Sequence, residues 1–179
     1  MTDTPSILPK DADEQQEGQA APQFSMTINK QYIKDLSFEV PGGPAIFQQL
    51  QTENPTISYD IDVVTRQVTP EQPLYEVTLI TKIEAKLPPV TPDAPAGGRP
   101  VFIVELAYSA LATVTGAPEN ILEQILMIQV PYLIFPFVRN ILCNATRDGG
   151  FPPVMLQPID FAALWQHKRN TFAQAAGHA

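Results

Sequence analysis

The side chains that could act as nucleophiles, bases or metal ligands are few in this chain. Of its 179 residues one is a cysteine, Cys143, and two are histidines, His167 and His178. Cys143 stands in a long apolar stretch, where a cysteine is expected to pack as a small hydrophobic side chain. His167 is followed by Lys168 and Arg169, which is typical of a solvated helix face, and two histidines do not make a metal site. The inventory predicts that the protein is not an enzyme and needs no metal or cofactor.

Pairs of carboxylates offer a second kind of chemistry. Asp35 and Glu39 share one face of an alternating stretch, and Asp60 and Asp62 share one face of the next. General acid–base catalysis would need a cleft that separates their pKa values, and an open polar sheet face supplies none. We expect a solvated acidic surface that docks a basic partner. The formal net charge of −8, from 19 acidic and 11 basic residues, disfavours nucleic acid as a partner.

Four stretches with period-two alternation predict the strands of an antiparallel sheet. The first, residues 24–40, is predicted as one long strand with its even-numbered side chains on an apolar face and Lys30, Ile33 and Lys34 as exceptions. Residues 57–63 and 75–87 alternate in the same way. The fourth, from Val101, is apolar on both faces, with Glu105 as its one charge. Residues 88–100 contain five prolines and two glycines, and predict a mobile loop that joins the last two strands as a hairpin.

The helical part carries more apolar surface than one sheet face can bury. Eight large apolar side chains fall between residues 132 and 142, which is too short a stretch for the roughly 20 residues that span a bilayer. Pro131 is predicted to restart the helix, Pro136 to bend or loosen it near Phe135, and Gly149 with Gly150 to end it. A proline-rich crossover at residues 151–159 and a last helix capped by Asp160 follow. The surplus of apolar surface predicts that the protein oligomerises through this helix.

These elements predict a single α+β domain at residues 24–172, with a four-stranded antiparallel sheet followed by two to three helices. Residues 1–23 are acidic and rich in glutamine and proline, and predict a disordered tail. Residues 173–179 are predicted to be a flexible C-terminal tail. The start of the chain lacks a basic segment followed by an apolar one, and one cysteine cannot form an internal disulfide; both observations predict a cytoplasmic protein that does not insert into membranes.

The aromatic side chains of the fourth strand, the long helix and the crossover allow two interpretations. They could be ordinary core residues, which is the common fate of aromatics at helical spacing. The proline-broken crossover favours instead an adaptable groove for extended apolar peptides. The candidate groove residues are Phe102, Tyr132, Phe135, Phe137, Phe151 and Met155.

Four motifs resemble the SecB family of bacterial protein-export chaperones. They are KDLSFEVP at residues 34–41, FIVEL at 102–106, LIFPFVR at 133–139 and GGFPPVMLQPIDFAALW at 149–165. Each is short, but their order and spacing make the resemblance strong, and it extends from about residue 25 to residue 170.

The resemblance implies a homotetramer, built as a dimer of dimers, that binds unfolded precursor proteins without ATP and delivers them to the SecA motor. It implies that SecA contacts Asp35, Glu39 and Glu105, with Ile103 as the apolar residue beside them, and that SecA's own tail carries the zinc. With the apolar helix as the seam, the residues expected at the oligomer interface are Ile33, Leu133, Ile134, Val138, Ile141 and Leu142. Two alternatives stay open: a general or toxin–antitoxin chaperone of the same fold without SecA targeting, and a small-molecule carrier or enzyme that uses the groove as a pocket.

Overall fold

The computed structural model describes residues 24–89 and 98–176. Their elements are, in chain order, β1 (Ser25–Glu39), α1 (Ala45–Gln49), β2 (Thr56–Gln67), β3 (Leu74–Leu87), β4 (Arg99–Thr115), α2 (Glu119–Gln124), α3 (Val130–Asp148) and α4 (Phe161–Ala176). A π-helical segment, Ile125–Gln129, joins α2 to α3. The predicted α+β architecture is confirmed. The N-terminal tail at residues 1–23, residues 90–97 of the predicted loop and residues 177–179 lie outside the described residues.

The four strands form one antiparallel sheet in the order β1-β4-β3-β2. The predicted hairpin of β3 and β4 is confirmed, although β4 begins at Arg99, inside the stretch predicted as a loop. Strand β4 lies between β1 and β3, which explains why it is apolar on both faces. The helices cover one face of the sheet, which we call the helix face; the opposite one is the open face.

Two β-bulges in β1 change which side chains reach which face. The pairing with β4 shifts between Ile28 and Lys30 and again between Ile33 and Asp35. Between the shifts the alternation is inverted, so that Tyr32 lies opposite Ser109 on the open face. The prediction that Tyr32 belongs to the apolar face of this strand is therefore wrong. The three residues that broke the alternation, Lys30, Ile33 and Lys34, all stand at or between the bulges.

Residues 119–148 form one continuous helical rod rather than two helices. The prediction that a new helix starts at Pro131 is wrong. Pro131 has no N–H to donate, and the wider π-helical turn just before it lets the rod continue without this hydrogen bond. Helix α3 also continues through Pro136. A loosened turn thus lies ahead of Pro131, whereas the bend expected near Phe135 stays a prediction.

By length and composition alone, this rod is the one helix among the described residues that could cross a membrane. The rod is 30 residues long, so the argument that the apolar stretch is too short to span a bilayer is wrong. Its inner side nevertheless packs on the chain's own sheet. The fully buried side chains on that side are Ile125, Val130, Ile134, Val138 and Leu142. The sheet therefore accounts for the apolar character of that side of the rod.

The end of α3 is fastened to the crossover by a buried threonine. The Thr146 hydroxyl donates to the Leu142 carbonyl, 3.0 Å away, and accepts the Val154 N–H at 3.0 Å. A Cβ atom on Gly149 would collide with the ring of Phe38, so a larger residue at this position would have to displace that ring. The crossover leads to α4, whose first turn is capped as predicted: the Ala163 N–H donates to Asp160 Oδ1 at 2.9 Å.

Candidate binding surfaces

The open face is a ladder of side-chain rows that run across all four strands. Directly paired residues share a face, so the register gives the rows without ambiguity. From one end they are Arg66-Glu76-Leu111-Lys30, Val64-Thr78-Ser109-Tyr32, Asp62-Ile80-Ala107-Asp35, Asp60-Lys82-Glu105-Ser37 and Ser58-Glu84-Ile103-Glu39. Charge is distributed unevenly along the ladder, with a basic end at the first row and an acidic end at the last three.

The acidic end contains all four residues implied as the SecA contact. Asp35, Glu39, Ile103 and Glu105 lie on β1 and β4 within three adjacent rows. The expectation that Asp35 and Glu39 share one solvent-exposed face is confirmed, since both are exposed. Among the described residues neither of them forms an ion pair, so their charges are available to a partner.

Glu105 differs from Asp35 and Glu39 because it already has a cationic neighbour. Lys82 Nζ lies 2.9 Å from Glu105 Oε1 and 3.2 Å from Glu84 Oε1. The hydrogen bond to Glu105, followed by the one to Glu84, raises the pKa of Lys82. Half of the Glu105 side chain is nevertheless exposed, so the carboxylate can accept further donors.

The basic end is organised around a buried carboxylate. Glu76 is only 2% exposed and accepts hydrogen bonds from the Tyr32 hydroxyl, from Lys34 Nζ at 3.0 Å and from Arg66 Nε at 2.5 Å. Burial raises the pKa of Glu76, but the hydrogen bonds from Tyr32, Arg66 and Lys34 outweigh it and bring the pKa down to about 2. Glu76 thus lies on the open face with the other polar side chains of β3, but it is buried there beneath its three donors.

The apolar surface of the helix layer divides into two areas. The first, which we call the edge patch, consists of the exposed side chains of Ile33 and Leu36 on β1 and of Leu133 and Phe137 on α3. Tyr108 connects the two elements, because Ile33 pairs with Tyr108 and the ring of Phe137 stacks on the Tyr108 ring with the ring centres 6.4 Å apart. The patch runs along the unpaired edge of the sheet. Apolar side chains at such a position favour contact with another chain.

The second area, which we call the crossover groove, lies between α3 and the start of α4. Two adjoining cavities of about 520 and 200 Å³ make it up. They share Tyr132 and Ile159, and their other main lining residues are Ile128, Leu133, Phe135, Pro136, Arg139, Pro158 and Phe161. Leu133 therefore belongs to both the edge patch and the crossover groove. Tyr132 is 70% exposed and forms the outer wall. The groove is therefore a mainly apolar, open channel of a size that accepts side chains of an extended peptide.

Arg139 supplies a polar group within this apolar channel. Its guanidinium carbon lies 5.5 Å from the centre of the Phe135 ring, in a cation–π arrangement. Arg139 Nε is buried and has no hydrogen-bond partner among the described residues.

Half of the side chains predicted for the client groove are not available to a ligand. Phe102, Phe135 and Phe151 are buried in the core, whereas Tyr132, Phe137 and Met155 are exposed. Phe102 and Phe151 lie in a cluster with Phe38 and Phe47, with ring centres 4.9 to 6.1 Å apart. Their aromatic character serves packing, so we correct the groove assignment for these two. Phe135 contributes only the floor of the smaller cavity.

The predicted oligomer interface needs a similar correction. Ile134, Val138 and Leu142 have no exposed surface in the single chain, so no partner can bury them further. They face the sheet because α3 turns this side inward. Ile33 and Leu133 are exposed and Ile141 is half-buried, and these three keep their place as interface candidates.

Several residues of these surfaces were missed by the sequence reasoning. Ile128, Ile159 and Phe161 line the crossover groove, and each was assigned only to its own helix or crossover. One sequence signal could have indicated two of these residues. Ile159 and Phe161 stand on both sides of Asp160, the cap of α4, so they lie where the crossover meets the start of that helix. Among the described residues no three potential ligands cluster as a metal site would require.

Comparison with known proteins identifies related chains. A family model described as "Preprotein translocase subunit SecB" matches residues 17–171. The protein-export protein SecB of Gluconacetobacter diazotrophicus is 57% identical, with 88% of this chain and 91% of the relative covered. Protein-export protein SecB 1 of Gluconobacter oxydans is 51% identical with the same coverage of 88% and 91%.

A solved structure shares the fold. The Rv1957 SecB-like chaperone of Mycobacterium tuberculosis, solved in complex with a ChAD peptide from the Rv1956 HigA1 antitoxin, superposes with a TM-score of 0.56. The sequence identity is 11%, and the match covers 75% of this chain and 91% of the other. At this identity the likeness concerns the arrangement of sheet and helices alone.

Proposed function

The chain belongs to the SecB family of protein-export chaperones, and from that premise we propose that it is an ATP-independent holdase that passes unfolded precursor proteins to SecA. The observation that carries the proposal is the separation of two surfaces on one small domain. An apolar groove lies in the helix layer and an acidic end lies on the opposite, open face of the sheet. A chaperone that must hold one protein and dock on another needs two such surfaces.

Client binding is assigned to the crossover groove. Extended apolar segments would lay their side chains into the two cavities beside Tyr132, with Arg139 in the lining of the smaller one. Burial of each large apolar side chain contributes roughly 1.5 to 3 kcal/mol, so a few such contacts suffice for binding without nucleotide hydrolysis. Met155, exposed on the crossover, is placed to extend the groove.

Assembly is assigned to the edge patch. Strand β1 is an unpaired sheet edge, and its exposed Ile33 and Leu36 lie on the helix face, the side of the sheet that carries Leu133 and Phe137 of α3. Pairing of this edge with a second copy would bury the patch in a self-complementary, two-fold contact. The proposed homotetramer is a dimer of such dimers, and the half-buried Ile141 would belong to its seam.

Docking on SecA is assigned to the part of the acidic end that lies on β1 and β4, and the β2 residues of the same rows stay outside this contact. Asp35 and Glu39 offer unpaired carboxylates, Glu105 a half-exposed one, and Ile103 an apolar contact among them. Such a surface steers a basic partner by charge and is sensitive to salt. Because the proposed partner and clients meet in the cytoplasm, we place the protein there, with no metal or cofactor of its own.

Of the alternatives, a chaperone without SecA docking shares the groove and differs only in the use of the open face. The export names of relatives at 57% and 51% identity favour the SecA-linked reading over the antitoxin-linked one, whose structural relative is 11% identical. A carrier or enzyme would need an enclosed pocket with convergent polar groups, and the crossover groove is open and mainly apolar.

Two assays test the proposal. The purified protein should suppress aggregation of a chemically unfolded precursor without nucleotide, and it should be retained by immobilised SecA. Aggregation at the rate seen without chaperone would refute the holdase function. Suppression without SecA retention, in the presence of the unfolded precursor, would leave the holdase and refute export targeting.

A further inference from the structure

The basic end of the open face has more positive charge than its buried carboxylate neutralises. Lys30, Lys34 and Arg66 contribute three positive charges and Glu76 one negative charge. Lys34 and Arg66 each keep about half of their side chain exposed. Arg66 uses only its Nε toward Glu76, and among the described residues its two Nη groups donate to no acceptor. Lys30 is exposed and forms no ion pair with any described residue. These outward donors form a site for carboxylates.

We propose that this site binds the chain's own N-terminal acidic segment, residues 11–17 (DADEQQE). Residues 1–23 carry five acidic side chains and one basic one, and four of the five acidic ones fall within that segment. The segment precedes the strand that holds Lys30 and Lys34, so charge and chain connectivity point to the same contact. The acidic end of the open face would repel the acidic segment. On this face the segment can therefore bind only at the basic end.

The chain length allows this contact. Glu17 precedes Phe24 by seven residues, a reach of up to about 23 Å in an extended chain. Lys30 follows Phe24 by six residues along β1, a distance of about 20 Å. The connection contains Gly18 and Pro22, residue types that favour a reversal of chain direction. Residues 11–17 can therefore fold back and reach Lys30, Lys34 and Arg66.

Docking of this segment would change the character of the whole open face. With the segment in place, the basic end is covered by carboxylates, and the face becomes acidic from the first row to the last. The segment therefore acts as an internal ligand that excludes external acidic peptides. It also extends the negative field beside the proposed docking surface, although the contact itself does not depend on SecA.

Carbodiimide cross-linking of the full-length protein tests the proposal, because this reagent joins carboxylates and amines that touch. The links from the tail carboxylates are mapped by mass spectrometry; these carboxylates are Asp11, Asp13, Glu14 and Glu17. The yield of links to Lys30 and Lys34 should be about ten times the yield of links to Lys82 and Lys86, as expected for one or two charge contacts near the surface. They should fall when the salt is raised to about 1 M. Lys30→Glu should reduce the links to Lys34 several-fold, while Lys86→Glu, which reverses a charge at the other end of β3, should leave them unchanged.

Three results would overturn the proposal. Tail carboxylates that link equally to lysines at both ends of the face, or to none, would exclude a specific contact. Links that join two copies in a mixture of 14N- and 15N-labelled protein would exclude an intramolecular one. The third result uses an added peptide with the scrambled tail sequence. If this peptide cross-links to Lys30 and Lys34 as efficiently as the chain's own tail does, the site is a receptor for external acidic segments.

Discussion

The Tyr32 hydroxyl donates a hydrogen bond to Glu76 across strand β4, which lies between the strands of these two residues. Arg66 reaches the same carboxylate from the other side, on β2. The buried Glu76 side chain on β3 is thus hydrogen-bonded to residues of β1 and of β2. The contact with β1 passes over β4, which lies between β1 and β3. The contact exists because the bulges in β1 turn Tyr32 toward the open face.

Glu76 predicts a loss of stability in acid. Its pKa lies near 2 in the folded chain against 4.5 for the reference carboxyl group, so the folded state binds the proton more weakly than the unfolded one. The stabilisation is complete above about pH 4.5 and is lost as the pH falls through the folded value, for a total of at most about 3 kcal/mol. Urea unfolding of the wild type at fixed protein concentration should show this loss between about pH 4.5 and 2.

Two variants isolate this contribution. Glu76→Gln should be less stable than the wild type at pH 7, because Lys34 and Arg66 lose their counter-charge, and the difference should shrink toward pH 2. Tyr32→Phe removes the hydrogen bond that lowers the pKa of Glu76 most and keeps the two ion pairs, so it should destabilise less than Glu76→Gln and reduce the pH dependence without abolishing it. A constant difference between wild type and Glu76→Gln over this pH range would show that the ionisation of Glu76 does not stabilise the fold.

Strand periodicity and helix signals predicted the fold well, because each depends on neighbouring residues only. The sheet, the hairpin of β3 and β4, and the Asp160 cap follow from local patterns. The role of Glu76 does not, because its three donors lie ten or more residues away and depend on two bulges that the alternation marks only as exceptions. The same limit applies to the long helix: its period shows how much apolar surface it has, but not that Ile134, Val138 and Leu142 face the sheet. Only the packed structure separates a core phenylalanine such as Phe151 from an exposed aromatic such as Tyr132.

The crossover groove predicts a different effect for exposed and buried aromatics. Tyr132→Ala removes the outer wall of both cavities and should weaken binding of an unfolded client about tenfold or more, with a change in stability below about 1 kcal/mol. Phe151→Ala empties a core site and should cost about 3 to 5 kcal/mol of unfolding free energy. Calorimetric titration with a client peptide and urea unfolding separate the two effects. Unchanged client affinity in Tyr132→Ala would remove this groove from the binding site.

The edge patch predicts the route of assembly. The wild type should have a mass by light scattering close to four times 19.7 kDa. Ile33→Asp or Leu133→Asp places a charge in the proposed contact and should lower the mass to that of a dimer or monomer, because an unpaired buried charge costs several kcal/mol. Met155→Asp changes an equally exposed apolar side chain outside the patch and should leave the mass unchanged. A monomeric wild type would refute the tetramer, and a tetrameric Leu133→Asp would move the interface away from this patch.

Asp35 offers the cleanest test of docking, because it has no ion-pair partner among the described residues and its removal leaves no cation unpaired. Asp35→Ala should weaken binding to SecA by about three- to tenfold, mainly through the association rate, and the deficit should shrink at high salt. Client affinity should stay unchanged, since the crossover groove lies on the other face of the sheet.

Asp60→Ala is the matched control: Asp60 is an exposed aspartate of the same face, one row further along, but on β2 and outside the proposed contact. Equal weakening by both variants would mean that the general negative field, and not this surface, attracts SecA. Glu105→Lys should have a larger effect than Asp35→Ala, because it also places a second cation beside Lys82. If Asp35→Ala reduced client and SecA binding alike, the assignment of the two tasks to opposite faces of the sheet would be wrong.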